Sequence, residues 1–290
     1  MPGSAPAVLR ERLAAPGAPV VCPGVTDGVA ARIAAAQGFE GLYVSGAGTA
    51  AARGLPDMGV LTLTELLDAV SIVVSASGLP VVVDADTGFG GPLAIRRTAQ
   101  LLAGAGAAAI QIEDQPVDRR CGYLTHEAPV PIAEMLHRLD AVRAADTDLV
   151  VVARTDALLT EGLDSAVERA RAYCREGVDL LMVNGISSVS ELVRLHDELG
   201  FPMLHNVSGS DRTPALDPGD AQRLDVRIVI YPIQAARAAA HAVGQYLSSL
   251  RDGAAAPPLL PFTEYMDLAG WSEAEAFDDK VRGTGRESGR

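Results

Sequence analysis

Residues 80–114 read PVVVDADTGFGGPLAIRRTAQLLAGAGAAAIQIED, an apolar run, an amphipathic segment and a second apolar run. Both runs are continuously apolar rather than alternating, which is typical of strands buried on both faces of a parallel sheet. The segment between them, AIRRTAQLLAGAG, ends in Gly, as many helices do. This stretch therefore predicts a strand, a helix and a second, parallel strand.

The same unit recurs along most of the chain. Eight apolar runs are each followed by a helix-like segment: PVVCPG (19–24), GLYVSG (41–46), PVVVDAD (80–86), AAIQIED (108–114), LVVVARTD (149–156), DLLMVNG (179–185), FPMLHNV (201–207) and RIVIYP (227–232). Eight such units in one domain predict the α/β class and a (β/α)8 barrel, the TIM barrel. A doubly wound open sheet is the alternative, but no G-x-G-x-x-G follows the first run.

The repeating pattern stops near residue 250. The stretch AAAPPLLP (254–261) reads as a linker, and FTEYMDLAGWSEAEAFDDKV (262–281) reads as one or two extra helices. We therefore expect a catalytic barrel over residues 1–250 and a helical extension over residues 251–290. Such an extension usually packs on the barrel or on a neighbouring subunit.

The composition restricts the class of protein. With 48% hydrophobic residues, the 290-residue chain is too apolar to be disordered. Its 24 Lys and Arg against 37 Asp and Glu give a net charge of −13, which argues against nucleic-acid and anionic-membrane partners. Three scattered cysteines form no disulfide framework, and we recognise neither a secretory signal nor a membrane span. These features predict a cytoplasmic protein.

Acidic residues follow two neighbouring apolar runs. Asp84 and Asp86 lie at the end of one run, and Glu113 lies at the end of the next. In a barrel these ends meet at the catalytic face, so three carboxylates would gather there. A single carboxylate at a strand end is often a helix cap, but that explanation does not easily cover three together. Hard oxygen ligands suit Mg2+, with Mn2+ as a second choice.

Other strand ends supply groups that could hold an anion. Arg154 could bind a carboxylate through its planar guanidinium, or form an internal salt bridge instead. The small residues at 45–47 could bring backbone N–H groups close to an anion, or form a simple tight turn. Asn206 and Ser208 could add neutral hydrogen bonds.

The segment from Gln115 to Val130 is long for a loop between a strand and a helix, and long loops on this face are commonly lids. It carries Cys121 directly after Arg119 and Arg120. We expect the two cations to lower the pKa of this thiol and to suit it for acid/base chemistry. The other two cysteines are expected to be inert: Cys22 and Cys174.

Seven motifs in this order resemble the isocitrate lyase/phosphoenolpyruvate mutase superfamily, and in particular its 2-methylisocitrate lyase and carboxyphosphonoenolpyruvate mutase branches. The motifs are Y-V-S-G at 43–46, G-L-P-D at 54–57, D-A-D-T-G-F-G at 84–90, I-E-D-Q at 112–115, R-R-C-G at 119–122, A-R-T-D-A at 153–157 and I-Y-P at 230–232. The resemblance implies a TIM barrel whose last helix is swapped between subunits. It also implies a homotetramer built as a dimer of dimers.

The resemblance also implies roles for individual residues. Asp84 would ligate Mg2+ directly, and three further carboxylates would complete the shell through waters: Asp57, Asp86 and Glu113. Cys121 would be the acid/base, and Arg154 would bind a carboxylate. Catalytic roles would extend to Asp57 and Glu113. The substrate, a small carboxylate, would be held by Tyr43, Ser45, Gly46, Ala47, Gly122, Tyr123, Asn184, Asn206 and Ser208.

Three departures from the family pattern predict an altered substrate. The lyase branch has Lys-Arg-Cys-Gly-His where residues 119–123 read Arg-Arg-Cys-Gly-Tyr. The family's Pro-Glu-Ala is replaced by Val183-Asn184-Gly185, which removes a carboxylate from the site. The segment at 205–210 keeps its Asn but lacks the Glu that commonly follows.

Three functions remain open at this point. The first is a Mg2+-dependent lyase that breaks a C–C bond of a 2-methylisocitrate-like 2-hydroxy di- or tricarboxylate and releases pyruvate, glyoxylate or a related 2-oxo acid through an enolate-like intermediate. Cys121 motivates this hypothesis. The second is a P–C bond mutase or hydrolase of phosphonates, favoured by the extra arginine. The third is a metabolite-binding protein without catalysis, which the retained acidic residues disfavour.

Overall fold

Eight parallel strands form one sheet in the computed structural model, which describes residues 3–125, 127–208 and 213–284. The strand order is β1-β8-β7-β6-β5-β4-β3-β2, and a single bridge between Gly24 and Tyr43 joins β1 to β2. The strands are β1 Val20–Pro23, β2 Leu42–Val44, β3 Val81–Asp84, β4 Ala109–Glu113, β5 Val150–Thr155, β6 Leu180–Val183, β7 Met203–Asn206 and β8 Val226–Tyr231. This nearly closed ring, surrounded by helices, confirms the (β/α)8 barrel.

Helices alternate with the strands along the chain, and further helices follow the last strand. They are α1 Ala5–Ala14, α2 Gly28–Ala36, α3 Gly46–Ala52, α4 Leu63–Ser77, α5 Pro92–Gly104, α6 Ile132–Arg143, α7 Ala157–Thr160, α8 Leu163–Arg175, α9 Val189–Leu199, α10 Pro218–Arg223, α11 Gln234–Asp252, α12 Phe262–Leu268 and α13 Trp271–Thr284. Two of them begin with a reciprocal capping box, Thr62 with Glu65 and Ser188 with Glu191. In the part of the chain that the structure describes, no helix combines the length and the hydropathy of a membrane span.

The continuous apolar runs are explained by two cores, one on each face of the sheet. Alternate strand residues point into the barrel, where Val82, Val152 and Leu204 pack together. Their neighbours in sequence, such as Val83 and Val151, face the surrounding helices. Both faces of the sheet are therefore buried against mainly apolar side chains, and the strands lack the regular alternation of a sheet with one face in solvent.

The chain forms two compact units, Met1–Arg237 and Ala238–Arg290. The second unit contains most of α11 together with α12 and α13. Large apolar side chains are exposed in it: Leu259, Phe262, Trp271 and Phe277. The expected boundary at residue 250 and the exchange of the extension between subunits stay predictions.

We expect Gly24→Ala to lower the free energy of unfolding by about 3 kcal/mol. A Cβ at residue 24 would lie 1.9 Å from the carbonyl oxygen of Pro232, and a backbone atom cannot move away cheaply. Urea unfolding measures the loss. Gly104→Ala is the control, because a Cβ there has no neighbour within 4 Å. Equal unfolding free energies for both variants would contradict the prediction.

Candidate active site

Three buried carboxylates meet at the carboxyl ends of β3 and β4. Asp84, Asp86 and Glu113 each offer an oxygen, and these oxygens lie within 4.8 Å of one another. Glu113 ends β4, and its neighbour in the sheet is Arg154 of β5. The parallel register therefore brings together the strand-end residues that the sequence separates by up to seventy positions.

The donor set fits a hard divalent cation. Both carboxylate oxygens of Glu113 and Oδ1 of Asp86 are buried without a well-aligned hydrogen bond from any described residue. Burial raises the pKa of Glu113 to about 7 and raises the pKa of Asp86 well above its usual value. Carboxylates that are costly to ionise alone gain the most from a dication, and an all-oxygen set suits Mg2+.

Two arginines already neutralise part of this charge. Arg119, from the long loop, lies 2.7 Å from Asp57, 3.2 Å from Asp86 and 2.7 Å from Glu113. Its Nε faces Glu113 without an aligned hydrogen bond, so this contact is an ion pair only. The loop is thus anchored to the carboxylates by charge.

Arg154 forms the internal salt bridge that the sequence left open. Its Nε and Nη2 donate to the two oxygens of Asp156 at 2.8 and 3.0 Å, and Nη1 lies 2.9 Å from Glu113. The same guanidinium also lines the cavity described below. Binding of a substrate carboxylate by Arg154 therefore stays a prediction.

Asp84 is oriented by a residue that the sequence analysis missed. The side-chain amide of Gln111 donates to Asp84 Oδ1 at 3.2 Å, and the hydroxyl of Tyr43 donates to Gln111 Oε1 at 3.2 Å. The backbone N–H of Asp86 adds a third contact to the same Asp84 oxygen at 3.2 Å. The available signal was a polar residue in the middle of the apolar run at 108–114.

Gly46 is placed where a side chain cannot fit. A Cβ at this position would lie 2.7 Å from Asp86 Oδ1. Ser45 accepts a hydrogen bond from the Gly48 N–H at 3.3 Å, so it caps α3. The tight turn at 45–47 is thus present, and its anion-binding role stays a prediction.

A cavity of about 90 Å³ opens beside the carboxylates. Most residues predicted for the site line it: Tyr43, Ser45, Ala47, Asp57, Asp84, Cys121, Gly122, Tyr123, Arg154, Asn206 and Ser208. Four of the predicted residues are not among those that line it: Gly46, Asp86, Glu113 and Asn184. The sequence analysis missed three apolar lining residues: Met182, Pro232 and Ile233. Gly209 and Ser210, which belong to the segment discussed above, lie outside the described residues.

The expected lowering of the Cys121 pKa is wrong. Burial raises the pKa of this thiol, and Asp57 raises it further, while Arg119 opposes them only in part. Arg120 points away and lies 3.5 Å from Glu127. Both arginines are adjacent to Cys121 in sequence. The side chain of Arg119 is paired with carboxylates, however, and the side chain of Arg120 is exposed to solvent. The thiol is consequently held in its protonated form.

The geometry defines a barrel enzyme with an acidic site at the carboxyl ends of its strands. Residues 9–251 match the phosphoenolpyruvate phosphomutase family, and the chain belongs to this family. It is 40% identical to 2-methylisocitrate lyase from Halalkalibacterium halodurans over 79% of this chain and 77% of that protein. It is 34% identical to 2,3-dimethylmalate lyase from Eubacterium barkeri over 87% and 89%. The superfamily resemblance is confirmed.

Solved structures show the same fold. Oxaloacetate acetylhydrolase in complex with the inhibitor 3,3-difluorooxalacetate superposes with a TM-score of 0.91 at 32% identity, covering 96% of this chain and 97% of that one. Phosphonopyruvate hydrolase, solved with oxalate and Mg2+, gives a TM-score of 0.84 at 27% identity, covering 94% and 98%.

We expect the Mg2+ affinity to fall as the pH drops below 7. Metal binding needs ionised carboxylates, and Glu113, with a pKa of about 7, keeps its proton below that pH. Displacing one proton weakens binding by about tenfold per pH unit. Isothermal titration of the protein with Mg2+ between about pH 5.5 and about pH 8 measures the slope.

Glu113→Gln is the control for this slope. Because the amide takes up no proton, the pH dependence of the Mg2+ affinity is expected to become shallower in this variant. Without metal, the raised pKa favours folding below about pH 4.5, and this contribution is lost as the pH rises through about 7. A Mg2+ affinity that is constant between about pH 5.5 and about pH 8, or that rises on acidification, would contradict the assignment of Glu113 as a metal ligand.

Proposed function

We propose that the protein is a Mg2+-dependent C–C bond lyase that cleaves a 2-hydroxy di- or tricarboxylate, of the 2-methylisocitrate type, to a 2-oxo acid such as pyruvate or glyoxylate. One observation carries the proposal. Asp84 and Cys121 line the same cavity, so a metal-held keto acid and a proton donor would face each other across it. The lyase names of the most similar relatives support this reaction class.

The carboxylates Asp84, Asp86 and Glu113, with Asp57, would hold Mg2+, or Mn2+ in its place. When bound, the ion supplies positive charge that draws electron density from the keto acid as the C–C bond breaks. Backbone donors at residues 45–47 would hold the carboxylate and oxo group of the pyruvate-like half. Gln111 keeps the Asp84 carboxylate in a fixed orientation for this task.

As the C–C bond breaks, the 2-hydroxyl of the substrate would become the oxo group and pass its proton to a carboxylate of the cavity, Asp57, while Cys121 would protonate the carbon of the departing acid. A general acid must carry its proton at working pH, and burial raises the pKa of this thiol above its usual value. Gly122 closes the loop tightly over Asp156, where a Cβ would lie 2.8 Å from Oδ1. This closure would exclude water from the carbanion that Cys121 protonates.

Phosphonate chemistry is the second candidate, that is, a mutase or hydrolase acting on a P–C bond. The buried amide of Asn184, at the position where the lyase branch carries a carboxylate, favours it by removing negative charge. The family description and the phosphonopyruvate hydrolase fold are consistent with it.

Two assays separate the candidates. Release of a 2-oxo acid from 2-methylisocitrate or 2,3-dimethylmalate, followed by reduction with a dehydrogenase, is expected to require Mg2+ and to stop with EDTA. Phosphorus NMR of phosphonopyruvate incubated with the enzyme is expected to show no change. Conversion of the phosphonate without 2-oxo-acid release from either hydroxy acid would overturn the lyase. No turnover with either class, and ligand affinity that EDTA leaves intact, would indicate a binding protein.

We infer further that the chain assembles as a homotetramer, a dimer of dimers that exchanges its C-terminal helices, in the cytoplasm. The exposed apolar side chains of the second unit, among them Phe262 and Trp271, support assembly. Three cysteines without a disulfide are consistent with a reducing compartment. Light scattering coupled to gel filtration tests the tetramer, and a monomeric mass would overturn it.

A further inference from the structure

Asp114 directly follows Glu113 at the end of β4, so the two side chains face opposite sides of the sheet. Glu113 belongs to the acidic cluster, whereas Asp114 bonds to a surrounding helix: the hydroxyl of Tyr173, on α8, donates to Asp114 Oδ2 at 2.8 Å. Asp114 is fully buried and is not among the residues that line the cavity. The proposed reaction therefore leaves this carboxylate without a role.

Three consecutive residues at the end of β5 are held by Asp114. Its backbone N–H donates to the carbonyl oxygen of Arg154 at 3.2 Å. Its carboxylate accepts through Oδ2 from the Thr155 hydroxyl at 2.7 Å, and through Oδ1 from the backbone N–H of Asp156 at 3.0 Å. The backbone from which the side chains of Arg154 and Asp156 project is thus fixed by one neighbouring residue.

The carboxylate of Asp114 is itself held from behind by α8. Besides the Tyr173 hydroxyl, the guanidinium of Arg169 lies 3.6 Å from Asp114 Oδ2. Arg169 is fixed in turn, because its Nη1 donates to the carbonyl oxygen of Val130 at 2.7 Å. Hydrogen bonds that a carboxylate accepts in a buried site are strong, so Asp114 has little freedom to move.

Asp156 passes this restraint on to Arg154. The two carboxylate oxygens of Asp156 accept from Nε and Nη2 of Arg154 at 2.8 and 3.0 Å. Because a guanidinium is planar and rigid, fixing two of its nitrogens fixes the whole group. The Arg154 side chain that lines the cavity is therefore oriented by a chain of contacts that begins outside the barrel, at Tyr173.

We propose that Asp114 is a positioning residue that acts through Asp156 and sets the orientation in which the Arg154 guanidinium meets a substrate carboxylate. The inference rests on the prediction that Arg154 binds such a carboxylate, and with it on the proposed function. Asp114 touches neither the substrate nor the metal in this scheme. Its contribution is pre-organisation, because a guanidinium that is free to turn loses affinity when it has to be fixed on binding.

A double-mutant cycle on ligand binding tests the proposal. Oxalate resembles the carboxylate and oxo group of a keto acid, and it lacks the 2-hydroxyl that C–C cleavage requires. We expect Asp114→Asn to weaken oxalate binding to the Mg2+-loaded full chain by at least about tenfold in isothermal titration. Asn keeps the size of the side chain, but its NH2 group cannot accept the hydrogen bonds of the Thr155 and Tyr173 hydroxyls.

The second background of the cycle is Arg154→Lys, which keeps the positive charge but removes the fork that Asp156 orients. We expect Arg154→Lys alone to weaken oxalate binding. Adding Asp114→Asn to it should then cost less than about twofold, because no guanidinium is left to position. A merely structural role of Asp114 would give equal losses in both backgrounds, or none in either.

Two further variants control for stability and folding. Val73→Ala removes a buried apolar side chain from α4 that takes no part in these hydrogen bonds, so it should lower the unfolding temperature and leave oxalate affinity unchanged. Should Asp114→Asn not fold, Tyr173→Phe decides in the same two backgrounds. It removes only the hydroxyl behind Asp114, and we expect a loss of about threefold with Arg154 and none with Lys.

The outcomes separate this proposal from the lyase. Equal losses in the two backgrounds, or unchanged affinity in Asp114→Asn, would overturn the positioning role whatever the lyase assay shows. A loss confined to the Arg154 background, without 2-oxo-acid release from any hydroxy acid, would overturn the lyase and leave the positioning role standing. If Arg154→Lys binds oxalate as tightly as the wild type, or the Mg2+-loaded wild type does not bind it, the inference fails together with the ligand role of Arg154.

Discussion

Asp84→Ala is expected to lower Mg2+-dependent turnover by at least about a thousandfold, which corresponds to about 4 kcal/mol of transition-state stabilisation. Asp84 is the carboxylate that three groups hold in place, through the Gln111 amide, the Asp86 N–H and, behind Gln111, the Tyr43 hydroxyl. Removing it also takes one negative charge out of a crowded cluster, so metal-free thermal stability is expected to stay unchanged or to rise. Steady-state 2-oxo-acid release over a range of Mg2+ concentrations measures the effect.

Asp68→Ala is the matched control, because this aspartate is exposed on α4 and should leave turnover unaltered. Gln111→Leu belongs in the same series. It keeps every carboxylate and removes only the amide that orients Asp84, so we expect weaker Mg2+ binding than in the wild type. If Asp84→Ala keeps its turnover and its metal dependence, the whole assignment of the site fails.

Cys121→Ser is expected to reduce turnover by about a hundredfold to ten-thousandfold, the usual contribution of a general acid, with little change in KM. A serine hydroxyl holds its proton too tightly to transfer it at the rate of a thiol. Burial and Asp57 raise the pKa of the Cys121 thiol, so the thiol keeps its proton to a higher pH than an ordinary cysteine. The fall of wild-type kcat on the alkaline side of the pH profile is therefore expected at a correspondingly higher pH. The pH dependence of kcat measures this fall.

Cys174→Ser provides the comparison for that variant. Cys174 lies on α8, and burial raises its pKa to about 11, so it should contribute nothing to proton transfer. Release of the 2-oxo acid at the wild-type rate by Cys121→Ser would exclude the thiol as the general acid.

The fold could be predicted because the strands of a parallel barrel have a characteristic hydrophobic pattern in the sequence. Strands dry on both faces must be continuously apolar, and the first polar residue after each run marks the catalytic end. This rule located Asp84, Glu113 and Arg154 without any three-dimensional information. The same rule could not find Gln111, which lies inside a run and serves the site from within the barrel.

The chemistry of the loop could not be predicted from neighbours in sequence. Arg119 and Arg120 are adjacent to Cys121, yet one side chain reaches the carboxylates and the other reaches Glu127. The direction of each side chain depends on how the loop folds over the barrel, which no local pattern encodes. For the same reason the hydrogen bonds of Asn184 with Asp156 and Tyr123 are visible only in the structure.

One consequence concerns the shared use of Asp57, Asp86 and Glu113 by Arg119. The long loop is therefore coupled by charge to the carboxylates that we propose as metal ligands. A substitution of Arg119 that is designed to admit a bulkier substrate is expected to change the affinity and the selectivity for the ion as well, so the two properties have to be redesigned together.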